Sequence, residues 1–491
     1  MENNQNVSEK KVGKLDEFFG VTKMGSTVKT EVIAGITTFM AMVYILMVNA
    51  GMFSEGWMGI SYGAAYIATA IGAIVGTLLM AFLAKMPLAQ ASGMGINAFI
   101  VYTLMLNGTG LTYANCMMFT LIDGVIFILL TVTGLRKQIF AAIPESVRKA
   151  IGVGIGLFIA FIGFQQAGVI VNDGSTLVTF ASFNILSKTN RFVGVEGGSI
   201  VGALPAVVAI VGVLIIAVLE HKKVKGSILW GLLSSAVLFY VAVVIAKLCG
   251  YAGASDVLAT IKWSNPFNAF KDWGTQSVGK VFTEGFNFAG YSGTKGGLVL
   301  LIVTTALSLC MIDMFDTIGT LYGACARGNL LDENGTPLNM NKSMMADAVA
   351  TCIGAVAGTS TVTTFVESSA GVAAGGKTGF TALVTGVMFI LAMFLSPIAE
   401  LVPRCATASA LIWVGILMMN SVAKIDWTNP IEAIVAFFTL IVMCLGYSIS
   451  KGIGMGILVY CFVMICTGKA KEISVPTWVI GAIYTATFLL T

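Results

Sequence analysis

The chain has 491 residues, of which 57% are apolar and only 11% charged. Soluble domains carry about 25% charged residues, so the composition excludes an ordinary soluble enzyme. A formal net charge of +4 gives no support to a nucleic-acid partner.

Residues 1–30 are polar and lysine-bearing, without the apolar core of a signal peptide, and read as a cytoplasmic arm. Beyond them, apolar runs of roughly 17–23 residues recur, each long enough to cross about 30 Å of hydrocarbon. They begin near Glu31, Gly63, Ala91, Cys116, Val147, Ser199, Gly226, Gly297, Ser343, Ser360, Thr378, Arg404, Pro430 and Gly452. The fold class is therefore an all-α polytopic membrane protein with about fourteen transmembrane segments. The runs near Ala91 and Ser360 are short, glycine-rich and polar at their starts. Val475 to Thr491 is a further apolar stretch, read as a continuation of the last helix or an interfacial segment.

Basic residues collect on the cytoplasmic side. That rule places Lys85, Arg136, Lys137, Arg148, Lys149, His221–Lys225, Arg327, Lys342 and Lys469 inside, together with the N-terminus. It leaves Cys249 to Gly296 outside, where Trp263, Phe267, Phe270 and Trp273 suggest an interfacial segment. The nine cysteines are scattered without a CxxC spacing, and His221 is the lone histidine. No metal or disulfide framework is expected.

IPESVRKAIGVGIGLFIAFIG, from Ile143, has a partner in VPRCATASALIWVGILMMNSV, from Val402. KGSILWGLL, from Lys225, resembles KGIGMGILV, from Lys451. Both matches, and the two short segments, recur in the same order. The predicted units are a seven-span repeat over 31–248, a connection over 249–296, a second repeat over 297–473 and a tail over 474–491. Seven is odd, so the second repeat is inverted. Inverted repeats with helices broken at equivalent places are the sequence pointer to a secondary transporter and its site.

The second broken segment reads GTSTVTTFVESSAG, from Gly358 to Gly371. Thr and Val suit extended chain, which survives at membrane depth only where protein or a watery cavity satisfies it. Thr359–Thr364 is predicted to be extended, with a half-helix beginning near Phe365 and Glu367 in its first turn. The amino end of a half-helix favours electron-rich groups. ASGMGINAF, Ala91 to Phe99, is the counterpart, with Asn97 as polar head and Phe99 able to stack on a flat ligand. In CMIDMFDTIGTLYG, Asp313 and Asp316 share a helix face, and intramembrane carboxylates normally mark a substrate or proton path. Asp123 reads as solvated or helix-paired near the outer part of its span. Asp347 and Glu432 read as interface residues at span starts, and Gln165 and Gln166 as packing or rim.

SGMGINAF, MFDTIGTLYG and GTSTVTTFVESSAGVAAGGKTGFTALVTG closely resemble the AzgA-like purine permeases of the nucleobase–cation symporter family. The resemblance runs from about Phe18 to the C-terminus. It implies a fold similar to the uracil permease: two inverted seven-span repeats, a core and a gate domain, strands joined to half-helices in spans 3 and 10, and a homodimer. By position it makes Asn97, Asp313 and Glu367 substrate contacts, and Asp313, Asp316 and Glu367 candidates for proton coupling. Thr364 and Phe365, at the junction of strand and half-helix, join Phe99 as site candidates. The uracil branch has a histidine in span 8; this chain has none there, which disfavours a pyrimidine.

The expectation is a plasma-membrane importer of purine bases, hypoxanthine or guanine first and adenine close behind. It would use a proton as coupling ion and no other cofactor, with lipid and a second copy as partners. The alternative is a transporter of the same fold for another small substrate, such as an inorganic anion, which three acids disfavour, or a pyrimidine or xanthine base. An enzyme would need a nucleophile–base pair or metal cluster at depth, and neither is visible.

Overall fold

The computed structural model describes residues 14–105, 110–134, 143–183, 192–196, 199–261 and 263–490. Arg136, Lys137 and residues 1–13 of the predicted arm lie outside the described residues. Among the described residues, ten helices are long and apolar enough to cross a membrane. The remaining predicted starts carry shorter or more polar helices: Met94–Ala98 running into a π-helical turn Phe99–Met105, then Met340–Ala357, Ser368–Ala373 and Pro430–Leu445.

The helices form two bundles. Val28–Met42, Tyr62–Leu79, Tyr113–Thr133, Lys295–Arg327, Met340–Ala357 and Gly379–Ala392 pack among themselves and constitute the core. Glu145–Gln166, Ala203–His221, Ser227–Leu248, Arg404–Met419, Pro430–Leu445 and Ile449–Cys466 form the gate. Each bundle draws equally on both halves of the chain.

Two contacts join corresponding places in the two halves of the chain. In the sequence pairing of Ile143 with Val402, Gly156 and Gly415 are equivalent, each thirteen residues on. In the structure they face each other. A Cβ on Gly415 would stand 2.5 Å from the Gly156 carbonyl oxygen, and one on Gly156 would stand 3.0 Å from that of Gly415. Only glycine lets the two gate helices approach so closely. In the core, strand Gln90–Ser92 pairs antiparallel with Val362–Thr364, in the register Gln90 with Thr364, Ala91 with Thr363 and Ser92 with Val362. The strands satisfy each other's backbone where no water could.

The first core helix is tied to the far half of the chain by Glu31, which is completely buried. Its carboxylate accepts from the amides of Lys377, Thr378 and Thr381 at 3.0, 3.3 and 3.2 Å, and from the hydroxyls of Thr378 and Thr381 at 2.9 and 2.6 Å. It thus caps the start of Gly379–Ala392 from another helix, where a negative charge meets free N–H groups. Glu31→Ala is expected to cost about 3 kcal/mol, because several buried donors lose their acceptor at once. A thermal-unfolding midpoint in detergent equal to that of the parent protein would contradict this role.

Three features depart from the sequence reading. The tail is not a continuation of the preceding helix: Val475–Leu490 is a separate helix packed on Ile449–Cys466 and Lys295–Arg327, with the Tyr484 hydroxyl 2.9 Å from that of Ser308. The turn at Thr467–Ser474 reverses the chain and brings it there. In the 249–296 connection, Trp263 and Phe267 are exposed, but Phe270 and Trp273 turn inward. Trp273 Nε1 donates to the Ala357 carbonyl at 2.8 Å. Helix Pro266–Gln276 therefore docks on the core instead of presenting all its aromatic rings to lipid. Two hairpins, Ile170–Asp173 with Leu177–Phe180 and Gly194–Glu196 with Ser199–Val201, also went unpredicted.

Candidate functional site

The strand pair carries the site. From its first strand the chain enters Met94–Ala98, and from its second a turn beginning at Phe365 leads into Ser368–Ala373. The pairing continues past the strands. Phe365 N donates to Ala89 O at 3.1 Å, Gly93 N to Thr361 O at 3.0 Å, and Ala89 N to the Ser368 hydroxyl at 3.0 Å. The two half-helices are therefore one rigid unit. Lys295–Arg327 packs against Met94–Ala98, Val362–Thr364 and Ser368–Ala373, so the elements bearing Asn97, Asp313, Asp316 and Glu367 do meet.

Their side chains are placed differently from one another. Asn97 is fully buried, its Oδ1 accepting from the Ser92 hydroxyl at 2.8 Å and from that of Ser360. A hydroxyl chain runs on from Ser92 to Thr359 at 3.1 Å, and Asn49 Nδ2 donates to Thr359 at 3.3 Å. Glu367 is half-buried at the N-cap of Ser368–Ala373, where its side chain makes no capping bond. Instead Tyr44, from helix Tyr44–Phe53, donates its hydroxyl to Glu367 Oε1 at 2.6 Å. Asp316 is half-buried and accepts from the Thr363 hydroxyl at 3.2 Å, whereas Asp313 is fully buried. Phe99 and Phe365 sit with Tyr44 in the main apolar cluster, at 1% and 7% exposure. Thr364 turns to the other side of the strand, with its hydroxyl 3.4 Å from Asp347 Oδ1.

Two acids correct the sequence reading. Asp347 is not an interface residue: it is fully buried, and it accepts from Gln90 Nε2 at 3.0 Å and from the Thr317 hydroxyl at 2.7 Å. Asp123 is not solvated: it is fully buried and accepts from the Thr361 hydroxyl at 3.0 Å. Both miss the solvent because their helices pack behind the strand pair, which a span-by-span reading does not register. Tyr44 was also missed; an apolar run with one tyrosine carries no signal of where its hydroxyl points. Glu432 does lie in the first turn of its helix, in an ion pair with Lys149 at 3.0 Å.

Core and gate also meet on the face that carries the 249–296 connection. Arg404 Nη1, on the gate, lies 3.1 Å from Glu55 Oε2, on the core. Gln166 donates to the Tyr102 hydroxyl at 2.5 Å, and the Tyr447 hydroxyl donates to Gln165 at 2.8 Å. Gln165 and Gln166 are thus packing residues, as expected, and these contacts tie the two bundles together on this face. Burial pushes the Glu55 carboxyl up from its ordinary range, with the Arg404 guanidinium opposing. The closed contact therefore binds a proton more tightly than a solvated glutamate does. Its contribution is present at low pH and lost as pH rises through the raised pKa. Spin labels at exposed Phe267 and Leu248 are expected to report a larger closed population as pH falls, and Glu55→Gln is expected to remove that dependence. A closed population that rises with pH would reverse the sign.

Broken helices from the two halves of the chain, paired by strands between two helical bundles, are the architecture of a membrane transporter. The chain belongs to the Permease family, whose sequence model matches residues 29–455. It is an integral membrane permease and not an enzyme, as its motifs imply. It is 37% identical over 458 residues to the guanine/hypoxanthine permease PbuO of Bacillus subtilis, covering 93% of this chain and 96% of that one. It is 34% identical over 478 residues to the adenine permease AdeQ of Escherichia coli, covering 97% of each. Among solved structures, it resembles the transmembrane domain of a cyanobacterial bicarbonate transporter, BicA, with a TM-score of 0.57 at 13% identity, covering 86% of this chain and 96% of that one. That last likeness concerns the fold alone.

Proposed function

We propose that the protein imports purine bases across the plasma membrane together with protons, hypoxanthine or guanine first and adenine close behind. The observation that carries this reading is the rigid strand-paired unit, which presents polar groups from both repeats beside the Asp313–Asp316 helix. Guanine/hypoxanthine and adenine permeases as relatives over nearly the whole chain support the substrate class. In this reading the chain crosses the membrane fourteen times, the N-terminus is cytoplasmic and the transporter is a homodimer. Glu367, oriented by Tyr44, accepts from the base N–H groups. Asn97 exchanges its serine contacts for the base edge, with Phe99 and Phe365 beside the ring and Thr364 steadying the strand. The Asp313–Asp316 pair carries the coupled proton, and no other cofactor takes part.

An anion would meet three acids in such a site, so the base reading is preferred. Proteoliposomes containing the purified protein test it. Labelled hypoxanthine is expected to accumulate only under an inward proton gradient, and guanine is expected to compete. Uptake of bicarbonate or sulfate without uptake of any purine would replace this reading with the anion one.

A further inference from the structure

Asp123 lies on helix Tyr113–Thr133, on the far side of the strand pair's extended chain from the Asp347 contact. Its burial is enforced by packing: a Cβ at neighbouring Gly124 would stand 2.6 Å from Cys352 Sγ and 3.0 Å from the Cys352 amide nitrogen. Helix Met340–Ala357 can come this close only because position 124 lacks a side chain. The carboxyl is 0% exposed, Oδ2 accepts from Thr361, and Oδ1 has no hydrogen-bond partner among the described residues. The elements packed against this helix carry the titratable groups Asp347 and Cys352, then Cys310, Asp313, Asp316, Tyr322 and Cys325, and Tyr102; Tyr113 and Cys116 stand on the helix itself. The cations of those elements, Lys280, Lys295, Arg327 and Lys342, all sit in end turns.

A carboxylate buried with one neutral donor and one unpartnered oxygen is strongly unfavourable as an anion. Binding a proton at Oδ1 removes the charge and leaves the Thr361 bond at Oδ2 intact. Thr361 and Thr363 project from the same face of the extended chain, about 7 Å apart. Asp123 and Asp316 therefore occupy successive rungs of one ladder, each accepting from a threonine hydroxyl. We propose that Asp123 is a second proton-binding site of the transporter, set behind the strand pair and contributing to coupling. It rests on the proton-coupled reading above. Two proton sites raise the accumulation ratio by the square of the proton gradient instead of its first power.

The test uses the full-length protein in proteoliposomes with the membrane potential clamped at zero. Asp123→Asn keeps the shape and the Thr361 contact but binds no proton. Under a one-unit pH gradient its steady-state hypoxanthine accumulation is expected to fall about tenfold, one proton's worth, with base exchange unchanged. Accumulation equal to the parent's would overturn the proposal. Infrared spectroscopy supplies a readout independent of substrate: the C=O stretch of a protonated carboxyl is expected to vanish in Asp123→Asn and to change frequency in Thr361→Val. A band indifferent to Thr361→Val would overturn the proposal even if Asp123→Asn failed to fold. Should the parent protein exchange no base at all, the purine reading fails while the infrared band still decides Asp123.

Discussion

Glu367→Gln is expected to weaken purine binding by about 2–3 kcal/mol, the scale of a charge-assisted hydrogen bond lost with its partner left unpaired. That corresponds to roughly 30- to 150-fold in Kd. The fold holds this carboxylate in place. The chain turns at Phe365, the Ser368 hydroxyl anchors to Ala89, and Tyr44 fixes Oε1 at 2.6 Å. The amide keeps the size of the side chain but presents a donor where the base also presents one. Tyr44→Phe should show a smaller loss in the same direction, because the acid remains while its orientation loosens. Equilibrium binding of labelled base to detergent-purified protein measures both. Full-affinity binding by Glu367→Gln would remove Glu367 from the set of base contacts.

Asp313→Asn is expected to separate binding from coupling. Asp313 is fully buried in the middle of Lys295–Arg327, one helical turn from Asp316, which reaches Thr363 on the strand. Two like-charged acids one turn apart repel each other as anions, and in the proposed mechanism one proton is assigned to the pair. An amide at position 313 keeps the shape and removes one half of that pair. Equilibrium binding should stay near the parent value and base exchange should continue, while accumulation under a one-unit pH gradient falls at least about tenfold, the share of the proton that the pair carries. If Asp313→Asn loses base binding and Glu367→Gln binds normally but cannot accumulate, the two roles are exchanged.

The sequence alone determined the membrane class, the repeat and the broken segments. Apolar run length is set by bilayer thickness, and a threonine- and glycine-rich interruption cannot continue a helix; both are local properties, readable residue by residue. Even the equivalence of Gly156 and Gly415 was implicit in the pairing of Ile143 with Val402. Only the tertiary structure decided which polar side chains meet. Glu31 caps a helix near residue 380, Gln90 reaches Asp347, Tyr44 reaches Glu367, and Asp123 reaches Thr361. Each partnership spans more than two hundred residues, and each joins the two halves of the chain. Local propensity and periodicity report what a residue is and which face it occupies. They carry no record of which distant backbone or hydroxyl that face will meet, so along the chain Asp347 reads as an interface acid and Asp123 as solvated or helix-paired, although both are fully buried in the fold.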